Sequence, residues 1–183
     1  MKLHRNSQKR YYIDGVVYFI TIGTHNRYPY FDIDLLCKLF VYELNVCQKL
    51  KKFDIHAYKI NPEHIHLLIQ PGGKYNYSQI VHSLKRNFTR NVNYVIGYDF
   101  LSSCLKARLI NLAFGKHYES LIEMRNIFKN EHHLNHPIPR FKWQSSFHDH
   151  IIRDKHDYYR HLKYIENQWI HHKLKENKWC YIN

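Results

Sequence analysis

The spacing of apolar positions divides the chain into runs with strand period and runs with helix period. Residues 16–24, Val-Val-Tyr-Phe-Ile-Thr-Ile-Gly-Thr, are β-branched and aromatic and predict a buried strand. Residues 26–34 read as a loop around Pro29, with Asp32 or Asp34 placed to cap the next helix. From Leu35 to about Lys52, the residues Leu36, Leu39, Phe40, Cys47 and Leu50 recur at helical spacing, and the basic end (Lys49, Lys51, Lys52) complements the helix dipole. Residues 54–60 alternate and predict a second strand. After the short turn Asn61-Pro62-Glu63 comes an aliphatic run opened by His64-Ile65-His66 and closed by Pro71, the third strand and the other arm of an antiparallel hairpin.

Pro71-Gly72-Gly73 ends the hairpin, and Ser78 is placed to cap a helix striped by Ile80, Val81, Leu84, Phe88, Val92 and Val95. Its opposite face carries His82, Lys85, Arg86, Thr89, Arg90 and Asn93. Residues 97–139 have the weakest pattern. They read as an insertion, helical over 120–129, ending in the loop His-His-Leu-Asn-His-Pro-Ile-Pro. Residues 141–153 predict strand, turn and strand, and Asp154 or Asp157 opens a last helix to about Lys175. The order strand, helix, strand, strand, helix, insertion, strand, helix predicts an α+β fold. Its core is a ferredoxin-like βαββαβ antiparallel sheet with helices on one face, plus a C-terminal helix. The 183 residues suffice for one domain, 1–183, with residues 1–12 as a basic arm.

Charge sharpens the choice of partner. With 28 Lys+Arg against 15 Asp+Glu the net charge is +13, which points to a polyanion, nucleic acid first and an anionic membrane surface second. Aromatic residues make up 16% of the chain, and aromatics among basic residues suit single-stranded nucleic acid, whose open bases stack on them. No apolar segment is long enough to span a bilayer, and the start lacks an apolar signal core, so membrane attachment is not expected. Cys37, Cys47, Cys104 and Cys180 are scattered, which reads as reduced thiols in a cytoplasmic protein.

The candidate chemistry starts from His64 and His66. Alternation along a strand sends both imidazoles from one face and Ile65, Leu67 and Ile69 from the other. Such a pair can hold one divalent cation, although taken alone a hydrogen-bonded histidine pair is the commoner form. His148 and His150 form a second same-face pair and a second possible metal pair, with a structural or DNA-contacting role the plainer reading. In the last helix the apolar stripe is Tyr158, Leu162, Ile165 and Trp169. Tyr164 falls off it, on the side of Asp157, Gln168 and His171, and Gln168 is its neighbour one turn on. On residues alone, an exposed surface tyrosine is the plainer reading. His161, one turn before Tyr164, is a candidate base, with a structural histidine again the plainer reading.

Taken together, His-Ile-His, Trp143-Gln144, Phe147-His148-Asp149-His150-Ile151-Ile152-Arg153 and Tyr164-Ile165-Glu166-Asn167-Gln168 resemble the single-tyrosine HUH transposases, nearest to the REP-associated tyrosine transposases. The likeness runs over most of residues 14–172. Gln168-Trp169 stands where REP-associated members often have Asn-Pro, and here the chain is closer to the transposases of the smallest insertion sequences. The resemblance implies cutting and joining of single-stranded DNA, with His64 and His66 binding Mg²⁺ or Mn²⁺, Gln168 completing the metal site and Tyr164 as nucleophile. It also implies a 5′-phosphotyrosine link and a free 3′-hydroxyl. The expected partner is single-stranded DNA with hairpins, met by Lys85, Arg86 and Arg90, and the protein is expected as a monomer or homodimer. Beside this stand a non-catalytic binder of hairpin single-stranded DNA or RNA, and a zinc-stabilised module, which the absence of paired cysteines disfavours.

Overall fold

A computed structural model describes residues 10–98, 112–131 and 138–183. The strands are β1 (Tyr18–Gly23), β2 (Phe53–Asn61), β3 (His64–Pro71), β4 (His148–Ile151) and β5 (Cys180–Ile182). They form one sheet in the order β4-β1-β3-β2-β5, and every pairing is antiparallel. The first four have the strand order of a ferredoxin-like βαββαβ sheet, as the element order predicts. The chain's own tail supplies the fifth. The register sets Thr21 across from His66, Gly23 across from His64, and Asn61 across from His64 on the other side.

Two helices, α1 (Asp34–Lys51) and α2 (Tyr77–Val95), cover one face of this sheet. Ile20, Ile22, Ile65, Leu67 and Ile69 meet Leu36, Leu39, Phe40, Leu84 and Phe88 there, all buried. Each such side chain contributes roughly 1.5–3 kcal/mol by leaving water. The helix α3 (Leu112–Glu131) joins this layer through Leu121 and Phe128, so residues 120–129 are helical as their pattern predicts. The loop predicted at 132–137, and Cys104, lie outside the described residues.

The opposite face carries a smaller core of Ala57, Leu68 and Ile165, flanked by Val17, Phe19, Ile152, Tyr158 and Leu162. It is closed by α4 (Lys155–Glu166), which α5 (Gln168–His171) continues. Asp154 caps α4 by accepting from the Asp157 N–H. The helix predicted to run unbroken to about Lys175 instead breaks at Asn167, whose φ of −88° and ψ of 3° leave the helical region. Asn177 donates to the Glu166 carbonyl that the break releases.

Other local expectations are corrected in the same way. Asn76, not Ser78, caps α2, in a reciprocal box with Gln79 worth about 1 kcal/mol. Neither Asp32 nor Asp34 caps α1. Asp34 instead takes Lys178 and the Trp179 indole N–H, tying the tail down ahead of β5. Leu50 lies exposed, and Asn93 is buried, bonding both the N–H and the carbonyl of Phe141. Of the two strands predicted over 141–153, the first shrinks to a single bridge between Trp143 and Thr24. Among the described residues no helix is long and apolar enough to cross a membrane, and Cys37, Cys47 and Cys180 are free thiols.

Candidate active site

β3 is a central strand, and its two histidines project from the α4 side of the sheet. His64 Nε2 and His66 Nε2 lie 3.0 Å apart. The break after α4 turns Gln168 inward, where it is buried with its Oε1 3.1 Å from His66 Nε2. The three residues predicted as a metal set are thus brought together by two elements about a hundred positions apart.

The outer nitrogens of both rings are occupied. His64 Nδ1 lies 3.1 Å from Glu63 Oε1, and His66 Nδ1 lies 2.9 Å from Thr21 Oγ1. A carboxylate only accepts, so Glu63 places the ring proton of His64 on Nδ1 and leaves Nε2 with its lone pair. Thr21 serves His66 in the same way when its oxygen accepts. Burial lowers the pKa of His64, against the opposing pull of Glu63. Burial, with His64 beside it, pushes His66 down to about 3. Both imidazoles are therefore neutral near pH 7, the form that ligates a cation. Two neutral nitrogens and an amide oxygen converging on one point fit a divalent ion accepting N and O donors.

Tyr164, the predicted nucleophile, packs beside this cluster. Its ring packs on His66 at 5.2 Å between centroids, on Phe19 at 5.8 Å and on His171 at 6.3 Å, yet 44% of the residue is exposed. A tyrosine off the apolar stripe is here held against the histidine pair and open to solvent. Gly23, across from His64, lets the chain after Trp143 approach. A Cβ there would fall 2.9 Å from the Gln144 side-chain amide.

Three neighbours escape a reading of the sequence. Thr21 and Glu63 orient the rings, and Asn61 Nδ2 lies 3.0 Å from His64 Nε2 and 3.3 Å from Gln168 Oε1. Glu63 adjoins His64 in sequence, and Asn61 opens the same turn, so position relative to His-Ile-His is the available signal. His172 adds a further imidazole 3.9 Å from Glu63 Oε1.

His150 and His161 gather around Asp157, at 2.8 and 3.3 Å from its carboxylate oxygens. Burial raises the pKa of Asp157, but hydrogen bonds from His150, the Arg153 N–H and Arg160 outweigh it and hold the carboxyl well below its usual range. With Arg160 and Arg153 on the same carboxylate, this cluster is already neutralised by cations of the chain itself. His148, the other half of the predicted second pair, is exposed.

The predicted DNA-contacting residues lie elsewhere. Arg86 and Arg90 line a shallow groove of about 630 Å³ with Lys51, His82 and Gln79, on α2 and so on the other face of the sheet from Tyr164. Lys85 is half-buried and donates to the carbonyls of Gln144 at 2.9 Å and Ser146 at 3.4 Å. On the Tyr164 side, Arg153, Arg160 and Lys163 are exposed.

Residues 13–96 match the family described as "Transposase IS200 like". A putative REP-associated tyrosine transposase of Haemophilus influenzae is 27% identical over 168 residues, covering 91% of this chain and 77% of that protein. The solved structure of a REP-associated tyrosine transposase bound to a REP hairpin superposes with a TM-score of 0.61 at 20% identity, covering 92% of this chain and 74% of that one. In sequence and in fold, then, this chain is similar to the IS200-like transposases and to the REP-associated tyrosine transposases.

Proposed function

We propose that this protein cuts and rejoins single-stranded DNA, with Tyr164 as nucleophile and Mg²⁺ or Mn²⁺ held by His64, His66 and Gln168. The observation that carries the proposal is the packing of an exposed phenol against the buried histidine pair, 5.2 Å between rings. His64, His66 and Gln168 would hold the cation, which would supply Lewis-acid chemistry to the phosphate and help orient it for in-line attack. His64, His66 and Gln168 are neutral, so they hold such an ion without cancelling its charge. Glu63 and Thr21 keep the two rings turned inward.

Tyr164 supplies the bond-making oxygen. Its Oη attacks phosphorus, the bond to the departing sugar oxygen breaks, and the phenolic proton passes to solvent as the leaving oxygen takes one up. The product is a phosphotyrosine and a free hydroxyl on the other strand end, and the reverse step joins that phosphate to another hydroxyl. Phe19 and His66 limit the swing of the ring, which keeps the oxygen near one place. His161 Nδ1 lies 2.8 Å from the Asp157 carbonyl, which holds the ring proton on Nδ1 and leaves Nε2 with its lone pair, and the ring stacks on His150.

The substrate is proposed to be single-stranded DNA with hairpins; the solved structural neighbour is described as bound to a REP hairpin. Arg153, Arg160 and Lys163 would meet phosphates beside Tyr164, and Arg86 and Arg90, with Lys85, would meet them behind the sheet. The whole chain is taken as one HUH-like unit, with 1–12 as a basic arm and 97–139 as an insertion. The test is a labelled single strand carrying a hairpin, incubated with Mn²⁺ and run on a denaturing gel after heating in detergent. A covalent protein–DNA adduct is expected. Cutting without an adduct would mean that water is the nucleophile, and neither across several hairpins would favour the non-catalytic binder.

A further inference from the structure

We infer that Asn61 is a fourth side-chain ligand of the cation site, a role outside the set His64, His66 and Gln168, on whose proposed function it rests. Asn61 ends β2 and is 1% exposed. Its Nδ2 lies 3.0 Å from His64 Nε2 and 3.3 Å from Gln168 Oε1, while its Oδ1 is buried with no hydrogen-bond partner. Buried amides rarely leave their oxygen unsatisfied, and such an orphan calls for an ion or a reoriented group.

The four side chains close a ring. Its edges are His64 to His66 at 3.0 Å, His66 to Gln168 at 3.1 Å, Gln168 to Asn61 at 3.3 Å and Asn61 to His64 at 3.0 Å. Cis ligands of an octahedral ion bound at about 2.1 Å stand roughly 3.0 Å apart, so these edges already match one square of a coordination shell. Asn61 Nδ2 is the member that cannot ligate. Carboxamide nitrogen and oxygen have nearly the same shape, and a half-turn of the amide brings Oδ1 to the ring. Without a cation, the N–H groups of Asn61 bridge lone pairs that would otherwise repel. With a cation, the turned amide offers oxygen. Asn61 thus serves the site in both states, and a neutral N,N,O,O set leaves two octahedral positions for water and phosphate oxygens.

The test is titration of Mn²⁺ into the full chain without DNA, followed by calorimetry and by proton relaxation, which counts waters on the bound ion. Asn61→Ala is expected to weaken Mn²⁺ binding on the order of tenfold and to add one water to the ion. Asn61→Asp, with the same shape and a charged oxygen, is expected to tighten binding, and it decides the matter if Asn61→Ala does not fold. His66→Ala serves as the control. If His66→Ala abolishes binding while both Asn61 variants match wild type in affinity and water count, Asn61 is not a ligand and the three-residue site stands. If His66→Ala also binds as wild type, the cation site itself is wrong.

Discussion

The ring of Tyr164 stands edge-on to the imidazole of His66, with centroids 5.2 Å apart and planes at 73°. Phe19 meets both rings, stacked on His66 at 5.2 Å and edge-on to Tyr164 at 5.8 Å. Packing thus places a phenol beside a neutral, buried histidine while leaving it open to a large substrate. Tyr164→Phe keeps these ring contacts and removes one oxygen. Thermal stability and DNA binding should stay within error of wild type, and cleavage and the covalent adduct should both vanish on the denaturing gel. An adduct that persisted would move the role elsewhere. Tyr159 would be tested next because it is 65% exposed, before Tyr158, whose hydroxyl lies 2.9 Å from His56 Nδ1.

The second expectation concerns the charge of the proposed ligand set. Gln168 is neutral and 2% exposed, with its oxygen 3.1 Å from His66 Nε2. Gln168→Glu keeps the shape and adds a negative charge. Mn²⁺ should then bind about tenfold more tightly, since opposite charges in a buried site attract strongly. Single-turnover cleavage should nevertheless slow, because a partly neutralised cation stabilises the phosphorane-like charge less. Calorimetry and a quenched time course measure the two effects separately. Faster cleavage together with tighter binding would show that occupancy, not ligand charge, limits the reaction.

The fold is largely legible in the sequence because its signals are local. The β-branched run of β1, the stripe of α2 from Ile80 to Val95, and the hairpin around Asn61-Pro62-Glu63 each state their own geometry. That His64, His66 and Gln168 come together is legible too, the first two by strand alternation and the third through family likeness. The features that resist reading depend on contacts between distant segments. The break at Asn167 leaves no propensity signal, yet it turns Gln168 into the site. Asn93 sits among polar residues of α2 but is drawn inward by the Phe141 backbone. Thr21 is one of several alternating residues of β1 until pairing sets it across from His66. The partners of Asp34 lie in the tail, at Lys178 and Trp179, so its role as an anchor is out of reach of local reading.

A third expectation separates the basic residues of α2. Arg86 and Arg90 line an open groove, whereas the Lys85 ammonium is held by the carbonyls of Gln144 and Ser146 and its pKa is lowered by burial. Replacing Arg86 and Arg90 with Ala should weaken binding of a hairpin strand and reduce the salt slope by about 2, one for each phosphate that loses its guanidinium. Lys85→Ala should also lower the melting temperature, because two carbonyls lose their donor. Binding at several salt concentrations, alongside thermal melts, distinguishes the two effects. An unchanged salt slope in the double variant would clear the groove of any role in holding DNA.

The last expectation lies in the core, away from the chemistry. Glu43 on α1 is 2% exposed, and its Oε1 accepts from Asn91 Nδ2 of α2 at 2.6 Å. Burial raises its pKa from 4.5 to about 7, against the lowering effect of Asn91 and Arg90. The folded state therefore binds a proton more tightly than the unfolded chain does. The stability this confers is fully present below about pH 4.5 and is lost as pH rises through about 7. Its size is on the order of 3 kcal/mol, from roughly 1.4 kcal/mol per pKa unit. Glu43→Gln holds the group permanently neutral while keeping an oxygen for Asn91. Urea unfolding from pH 4.5 to 8.5 should show the variant matching wild type at the acid end and exceeding it above pH 7. Curves that stayed parallel across this range would show that Glu43 titrates alike in the folded and unfolded chains, and that the α1–α2 contact is indifferent to its charge.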